Sequence, residues 1–197
     1  DSYLSTDKAG NILIISAEMM SKYTDWSDRT TCVLFGDGAG ACIASKGNGL
    51  KYIRLTATGD TKILNLPSGN GNCPFRPALE PGYLHMQGQD VFKFAVSTIE
   101  ALTRDALNRL DLQPEDIDYY ILHQANRRII EAARTRLKLP EEKFPMNIGK
   151  YGNMSSATVP VLLDELMEDG RVKKGDRLLM TAFGAGLTAG LCVMDWE

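Results

Sequence analysis

DYYILHQANRRIIEAARTRL, residues 118–137, is the stretch that decides the fold. Tyr119 to Leu122 is a short apolar run, the mark of a strand buried on both faces. After it the period changes. Ala125, Ile129, Ala133 and Leu137 recur every four residues and fall on one face of a helix. Arg127, Arg134 and Lys138, with Glu131 among them, fall opposite. Arg128 sits on the flank, and Arg136 lies near the apolar stripe, reaching past the helix end. A buried strand that hands over directly to an amphipathic helix predicts an α/β layered fold. His123, one of only two histidines in the chain, stands at the handover.

Composition sets the outer bounds. The chain has 197 residues, 44% hydrophobic and 24% charged, enough for one large domain or two small ones. A net charge of −3 excludes a general affinity for nucleic acid, so any basic patch is local. No apolar run reaches the roughly 18–20 residues of a membrane span, and the opening residues carry no signal-peptide pattern. Cys32, Cys42, Cys73 and Cys192 are widely spaced, without a C-x-x-C pair. That spacing predicts reduced thiols in a cytoplasmic protein rather than a disulfide framework or a metal site. The opening DSYLSTDKAG reads as the last turns of a helix stopped at Gly10, so the residues are expected to be part of a longer chain.

Along the chain, 11–19 reads as a buried strand, 21–31 as a polar connection and 32–45 as a strand interrupted by GDGAG. The KGNGL stretch, 46–50, is the best boundary, followed by a strand over 50–60. Residues 61–85, rich in Pro, Gly and Asn, read as a long irregular loop. Residues 89–112 place Phe92, Ala95, Ile99, Leu102, Ala106 and Leu110 at helical spacing. A short turn and the strand and helix of 118–137 follow. Then come a glycine-hinged loop over 144–154, a third helix ending at Gly170 with Pro160 in its first turns, and two strands joined by FGAG. The glycine-interrupted pairs 32–45 and 178–195 look alike, which hints at two related halves.

Three features raise His123 above an inert strand-end histidine. It enters a helix. Asn153 sits in YGNMSSA, another loop that enters a helix, and helix N-termini direct free N–H groups and positive dipole outward. Two such donors aimed at one oxygen suit a developing oxyanion. FGAGLTAG, 183–190, adds a turn whose backbone N–H groups serve a second oxyanion, although a plain tight hairpin fits its spacing equally well. GDGAG, 36–40, lacks the pattern of a phosphate loop and reads as a bulged strand turn of small residues for close packing.

HQANRRI, GN-SSA thirty residues on, FGDGAGA and FGAGLTAG together resemble 3-oxoacyl-acyl-carrier-protein synthase III, a condensing enzyme of the layered thiolase fold. The resemblance implies that residues 1–47 end an N-terminal thiolase-like half and that 48–197 form the C-terminal half. It implies a Cys–His–Asn triad with His123 and Asn153 as its second and third members. The nucleophilic Cys would lie shortly before Asp1, because DSYLST resembles the end of its helix and none of the four cysteines stands in the matching context. Ala185 matches the oxyanion-hole position, where the family often has Gly; Ala keeps the N–H. Arg29, Gly88 and Gln89 match coenzyme A contacts, with Gln89 where Asn is common. Gln124, Ala125, Asn126, Arg127 and Arg128 match the segment that binds acyl carrier protein, extended by Lys93 and Arg136.

The reaction so implied is a decarboxylative Claisen condensation of acyl-coenzyme A, such as acetyl-coenzyme A, with malonyl-carrier protein. It gives 3-oxoacyl-carrier protein at the start of fatty acid synthesis, in a homodimer that needs neither cofactor nor metal. The residues given are expected to be inactive alone. Another type III condensing enzyme of a secondary pathway, or a non-catalytic module binding carrier protein or coenzyme A, remains open.

Overall fold

Period-2 alternation along one strand shows how the layers form. The fold is described from a computed structural model covering residues 1–67 and 82–197. In chain order it contains helix α1 (Ser2–Ser5), strands β1 (Asn11–Glu18), β2 (Gly38–Ser45), β3 (Leu50–Asp60), β4 (Leu64–Asn65) and β5 (His85–Met86), and helix α2 (Gly88–Leu110). Strand β6 (Tyr119–Leu122) and helices α3 (Arg127–Leu137), α4 (Ile148–Tyr151) and α5 (Thr158–Glu168) follow, then β7 (Arg177–Gly184) and β8 (Gly186–Asp195). On β6, Tyr120 and Leu122 face one way, into a core shared with α2 and α3. Ile121 faces the other way, into a core shared with Leu162 and Leu166 of α5. Burial on both faces is why the strand reads as an unbroken apolar run.

The four-stranded sheet has the order β3-β8-β7-β6. β6 and β7 are parallel, and the chain between them supplies α3, α4 and α5 as the crossover. β7 and β8 form an antiparallel hairpin that turns at Ala185, and β3 pairs antiparallel with β8. Ala95, Ile99 and Ala106 of α2 and Ile129, Ile130 and Ala133 of α3 cover one face. Asn126 caps α3, its Oδ1 accepting from Arg128 N at 2.9 Å.

β1 and β2 pair antiparallel in a separate two-stranded sheet, so the boundary read at 46–50 coincides with a change of sheet. Several details depart from the sequence reading. β1, expected to be buried, leaves one face exposed, with Leu13 61% and Ile15 64% accessible and, on β2, Ile43 70%; on its other face Ile14 is 48% accessible while Ile12, Ser16 and Glu18 are half-buried. The strand forms as its composition dictates, but two strands alone leave its apolar side chains without a covering layer. Residues 32–34 are turn rather than strand. The 144–154 loop contains α4, and the ends of the 61–85 loop pair as β4 and β5. Cys73, Pro74, Pro77 and Pro81 lie outside the described residues.

GDGAG does what its small residues predict. Phe35 and Asn153 form an isolated parallel bridge, with Asn153 N donating to Leu34 O at 2.8 Å and Gly36 N to Asn153 O at 3.0 Å. A methyl group on Gly36 would strike the Tyr151 carbonyl oxygen. Gly152, at φ +70, passes with its Cβ direction 3.1 Å from Leu34 O. Because backbone cannot retreat as a side chain can, Gly36→Ala should cost about 1–3 kcal/mol of stability, read as a lower urea midpoint with an unchanged slope. A midpoint equal to the parent's would show that the two segments do not pack this closely.

Candidate active site

β6 ends at Leu122, and the next residue leaves the sheet while still inside the molecule. His123 N donates to Thr181 O at 2.8 Å, which pins its backbone to β7. The ring is 8% accessible, packs edge-on to Phe183 with centroids 5.3 Å apart, and places Nδ1 2.5 Å from Thr158 Oγ1. Burial alone pushes its pKa down to about 4. Among the described residues no charged neighbour contributes, and the imidazole is neutral at ordinary pH.

Asn153 is oriented by the turn that follows it. Its Oδ1 accepts from Ser155 N at 2.9 Å. With the oxygen end of the amide engaged, Nδ2 is the end left to donate. Ser155 also links the two side chains, because its carbonyl oxygen accepts from the Thr158 hydroxyl at 3.0 Å, and that hydroxyl touches His123. Thr158 and Phe183, which hold the imidazole, were missed in the sequence; their only signal is proximity to SSA and FGAG.

His123, Asn153 and Ala185 line one cleft of about 660 Å³. Its walls are largely apolar, with Leu34, Phe35, Leu84, Met86, Phe92 and Phe183 among them. Ala185 needs no glycine, since the positive φ at this turn falls on Gly186, at +131. Gly88 and Gln89 line the cleft as well; Arg29 does not, although Thr30 beside it does. Among the described cysteines, Cys32, Cys42 and Cys192 all lie outside the lining, and burial pushes the Cys192 thiol up to about 11.

The segment read as a docking surface divides. Lys93, Ala125, Asn126 and Arg128 line the cleft. The Arg128 guanidinium lies over the Phe92 ring, 5.8 Å from its centroid. Arg127 pairs with Glu131 at 2.6 Å and Arg136 with Glu100 at 2.9 Å, both exposed. Gln124 is a correction: it is 0% accessible and cannot touch a partner. Its Nε2 donates to Leu122 O at 2.7 Å, and its Oε1 accepts from Asn147 N at 3.2 Å. Asn147 in turn donates to Glu165, which also accepts from Lys150 and Tyr151. This polar chain ties the loop after His123 to the loop before Asn153.

Two family models match the chain. One described as 3-oxoacyl-[acyl-carrier-protein] synthase III covers residues 1–60, and its C-terminal counterpart covers 107–196. The chain belongs to this family. It is 47% identical over 203 residues to the beta-ketoacyl-[acyl-carrier-protein] synthase III of Caldanaerobacter subterraneus subsp. tengcongensis, an alignment covering 99% of the chain and 61% of that protein. The crystal structure of the Aquifex aeolicus 3-oxoacyl-[acyl-carrier-protein] synthase III superposes with a TM-score of 0.89 at 41% identity, over 100% of this chain and 61% of that one. A priming beta-ketosynthase from the R1128 polyketide pathway gives 0.90 at 30% identity, covering 100% and 60%. The chain thus spans about 61% of the length of the family members it matches. Its architecture is the layered thiolase-type fold that the resemblance implied.

Two groups make this region acid-sensitive in separate windows. His123 refuses a proton that its unfolded form takes, so stability drops as pH falls from 6.5 toward about 4. Burial disfavours the Glu165 carboxylate, but hydrogen bonds from Lys150, Asn147 and Tyr151 outweigh this and hold its pKa at about 2. Its contribution is therefore present above 4.5 and lost as pH falls toward 2. Urea midpoints should decline in two stages on acidification, and Glu165→Gln should shrink the lower stage alone, to which other hydrogen-bonded carboxylates such as Asp105 and Asp195 also contribute. An unchanged lower stage in that variant would remove Glu165 from this role.

Proposed function

We propose that the protein carrying this chain is a 3-oxoacyl-carrier-protein synthase III, joining an acyl group from acyl-coenzyme A to malonyl-carrier protein with loss of carbon dioxide. The observation that carries this reading is a neutral, desolvated His123 sharing an apolar cleft with an Asn153 whose amide oxygen is already engaged. In the reaction, the acyl group passes to a cysteine thiolate, which none of the described cysteines supplies at the cleft. Malonyl thioester then enters past Gly88 and Gln89. His123 and Asn153 donate hydrogen bonds to its carbonyl oxygen as carbon dioxide leaves and negative charge gathers there. The carbanion attacks the acyl thioester, whose oxyanion is held by the backbone N–H of Ala185, and the C–S bond then breaks to release the cysteine thiolate and 3-oxoacyl-carrier protein. The chemistry uses side chains and backbone alone, with no cofactor.

Arg128 and Lys93 at the cleft, with Arg127 and Arg136 beyond it, give the acidic carrier protein a basic rim, which mainly speeds encounter. Arg29, exposed beside Thr30, would meet the nucleotide end of coenzyme A. The change of sheet between Ser45 and Leu50 supports dividing the chain into the end of one thiolase-like half, 1–47, and a second half, 48–197. The bare apolar side chains of β1 and β2 suit burial against further protein, as in a homodimer. Unpaired Cys32, Cys42 and Cys192 suit the reducing cytoplasm. The likeness to a polyketide priming enzyme favours, as second reading, a condensing enzyme with a different acyl group.

Malonyl-thioester decarboxylation by the full-length enzyme tests the assignment. His123→Ala and Asn153→Ala should each slow it by about 10²–10³-fold, the usual loss for one oxyanion donor. Rates within threefold of the parent would sink the reading. Arg128→Glu should raise KM for malonyl-carrier protein by roughly tenfold at low salt while leaving kcat near its parent value.

A further inference from the structure

One hydroxyl proton serves two neighbours at Thr158. Oγ1 lies 2.5 Å from His123 Nδ1 and 3.0 Å from Ser155 O. A carbonyl oxygen only accepts, and a neutral imidazole has one nitrogen that donates and one that accepts. If the hydroxyl proton points at Nδ1, then Oγ1 and Ser155 O confront each other with no proton between them. If it points at Ser155 O, both contacts are hydrogen bonds, provided Nδ1 carries the ring proton. Thr158 is 0% accessible, which shuts out a water that could supply another donor. We propose that Thr158 is a positioning residue that holds His123 of the free protein as the Nδ1–H tautomer, so that the Nε2 lone pair is the free acceptor of the ring.

The surroundings leave the choice to Thr158. Among the described residues, Phe183 packs against the ring with the two planes 72° apart and offers no competing acceptor. The backbone groups at the strand end are already engaged, His123 N donating to Thr181 O and Ala125 N to His123 O. Burial keeps the ring neutral, so there is a tautomer to select.

The inference deepens the proposed function and rests on it for its consequence. Donation to a thioester oxygen requires a proton on Nε2, whose lone pair gains one by taking the proton of the cysteine thiol as the thiolate of the proposed reaction forms. Nδ1 keeps its own proton directed at Thr158 Oγ1, and the hydroxyl keeps its proton directed at Ser155 O, so the ring gains a proton without moving a heavy atom. Ser155 O keeps the backbone N–H of Thr158 as a partner throughout. The free site is thus set to accept a proton, and the substrate-loaded site to donate one.

Long-range ¹H–¹⁵N correlation of the histidine rings reads the tautomer directly. With only His85 and His123 in the chain, and His85 exposed, the spectrum of the uniformly labelled protein at pH 7 is assignable by comparison with His85→Gln. The expected result is a His123 Nδ1 in the protonated, pyrrole-type range and an Nε2 in the unprotonated, pyridine-type range. Thr158→Ser should preserve that pattern; Thr158→Val should shift the ring toward the Nε2–H form. A wild-type ring already in the Nε2–H form overturns the proposal, as does a Thr158→Val spectrum indistinguishable from wild type. If the valine variant does not fold, the wild-type spectrum still decides the tautomer, and Thr158→Ala supplies the comparison. No substrate is added, so failure of the decarboxylation assay and failure of this proposal are separate results.

Discussion

The backbone contact between residues 34–36 and 151–153 is the constraint on which the site depends. Asn153 belongs to a short loop between two helices, and such a loop alone leaves a side chain free to swing. Here its N–H and its carbonyl are both engaged by a segment more than a hundred residues earlier, through Leu34 O and Gly36 N. The contact closes only because Gly36 and Gly152 carry no side chain where the two backbones meet. It also fastens the β1–β2 unit to the C-terminal layers. Gly40 extends the same seam, its Cβ direction 3.0 Å from Pro160 near the start of α5.

His123 is fixed by a different principle. β6 is covered on both faces, so the residue at its end emerges still shielded from water. That position keeps an imidazole neutral without any charged partner. The cations of the region stand at or beyond the cleft lining, on α2 and α3, where solvent keeps them charged. Dry neutral side chains within and solvated cations around them are what the proposed steering of a charged carrier and stabilisation of a small oxyanion would require.

The parts legible in the sequence were those governed by period. α2, α3 and β6 follow from the spacing of Ala95, Ile99, Ala106 and of Ile129, Ala133, Leu137, because one-sided or two-sided burial writes itself into the pattern. The pairing of His123 with Asn153 was visible because both precede helices. β1 misled because composition says that a strand wants cover, not whether this chain supplies it. Gln124 misled for a geometric reason. The resemblance placed it in the carrier-binding segment, but successive residues leaving a strand end point in different directions, and this one turns into the core.

Gln124 also shows why long-range polar contacts resist sequence reading. Its amide spans Leu122 O and Asn147 N, and Asn147 passes the connection to Glu165 on α5. Nothing in the local pattern around 124, 147 or 165 announces that the three meet. Together they brace the His123 loop against the loop that carries Asn153, while Ser155 and Thr158 link the same two side chains from the other side. The segments that carry His123 and Asn153 are therefore bridged twice, once through a buried amide and once through a hydroxyl. A buried polar group left unpaired costs about 1–3 kcal/mol, so each bridge resists the small displacements that would pull the two segments apart.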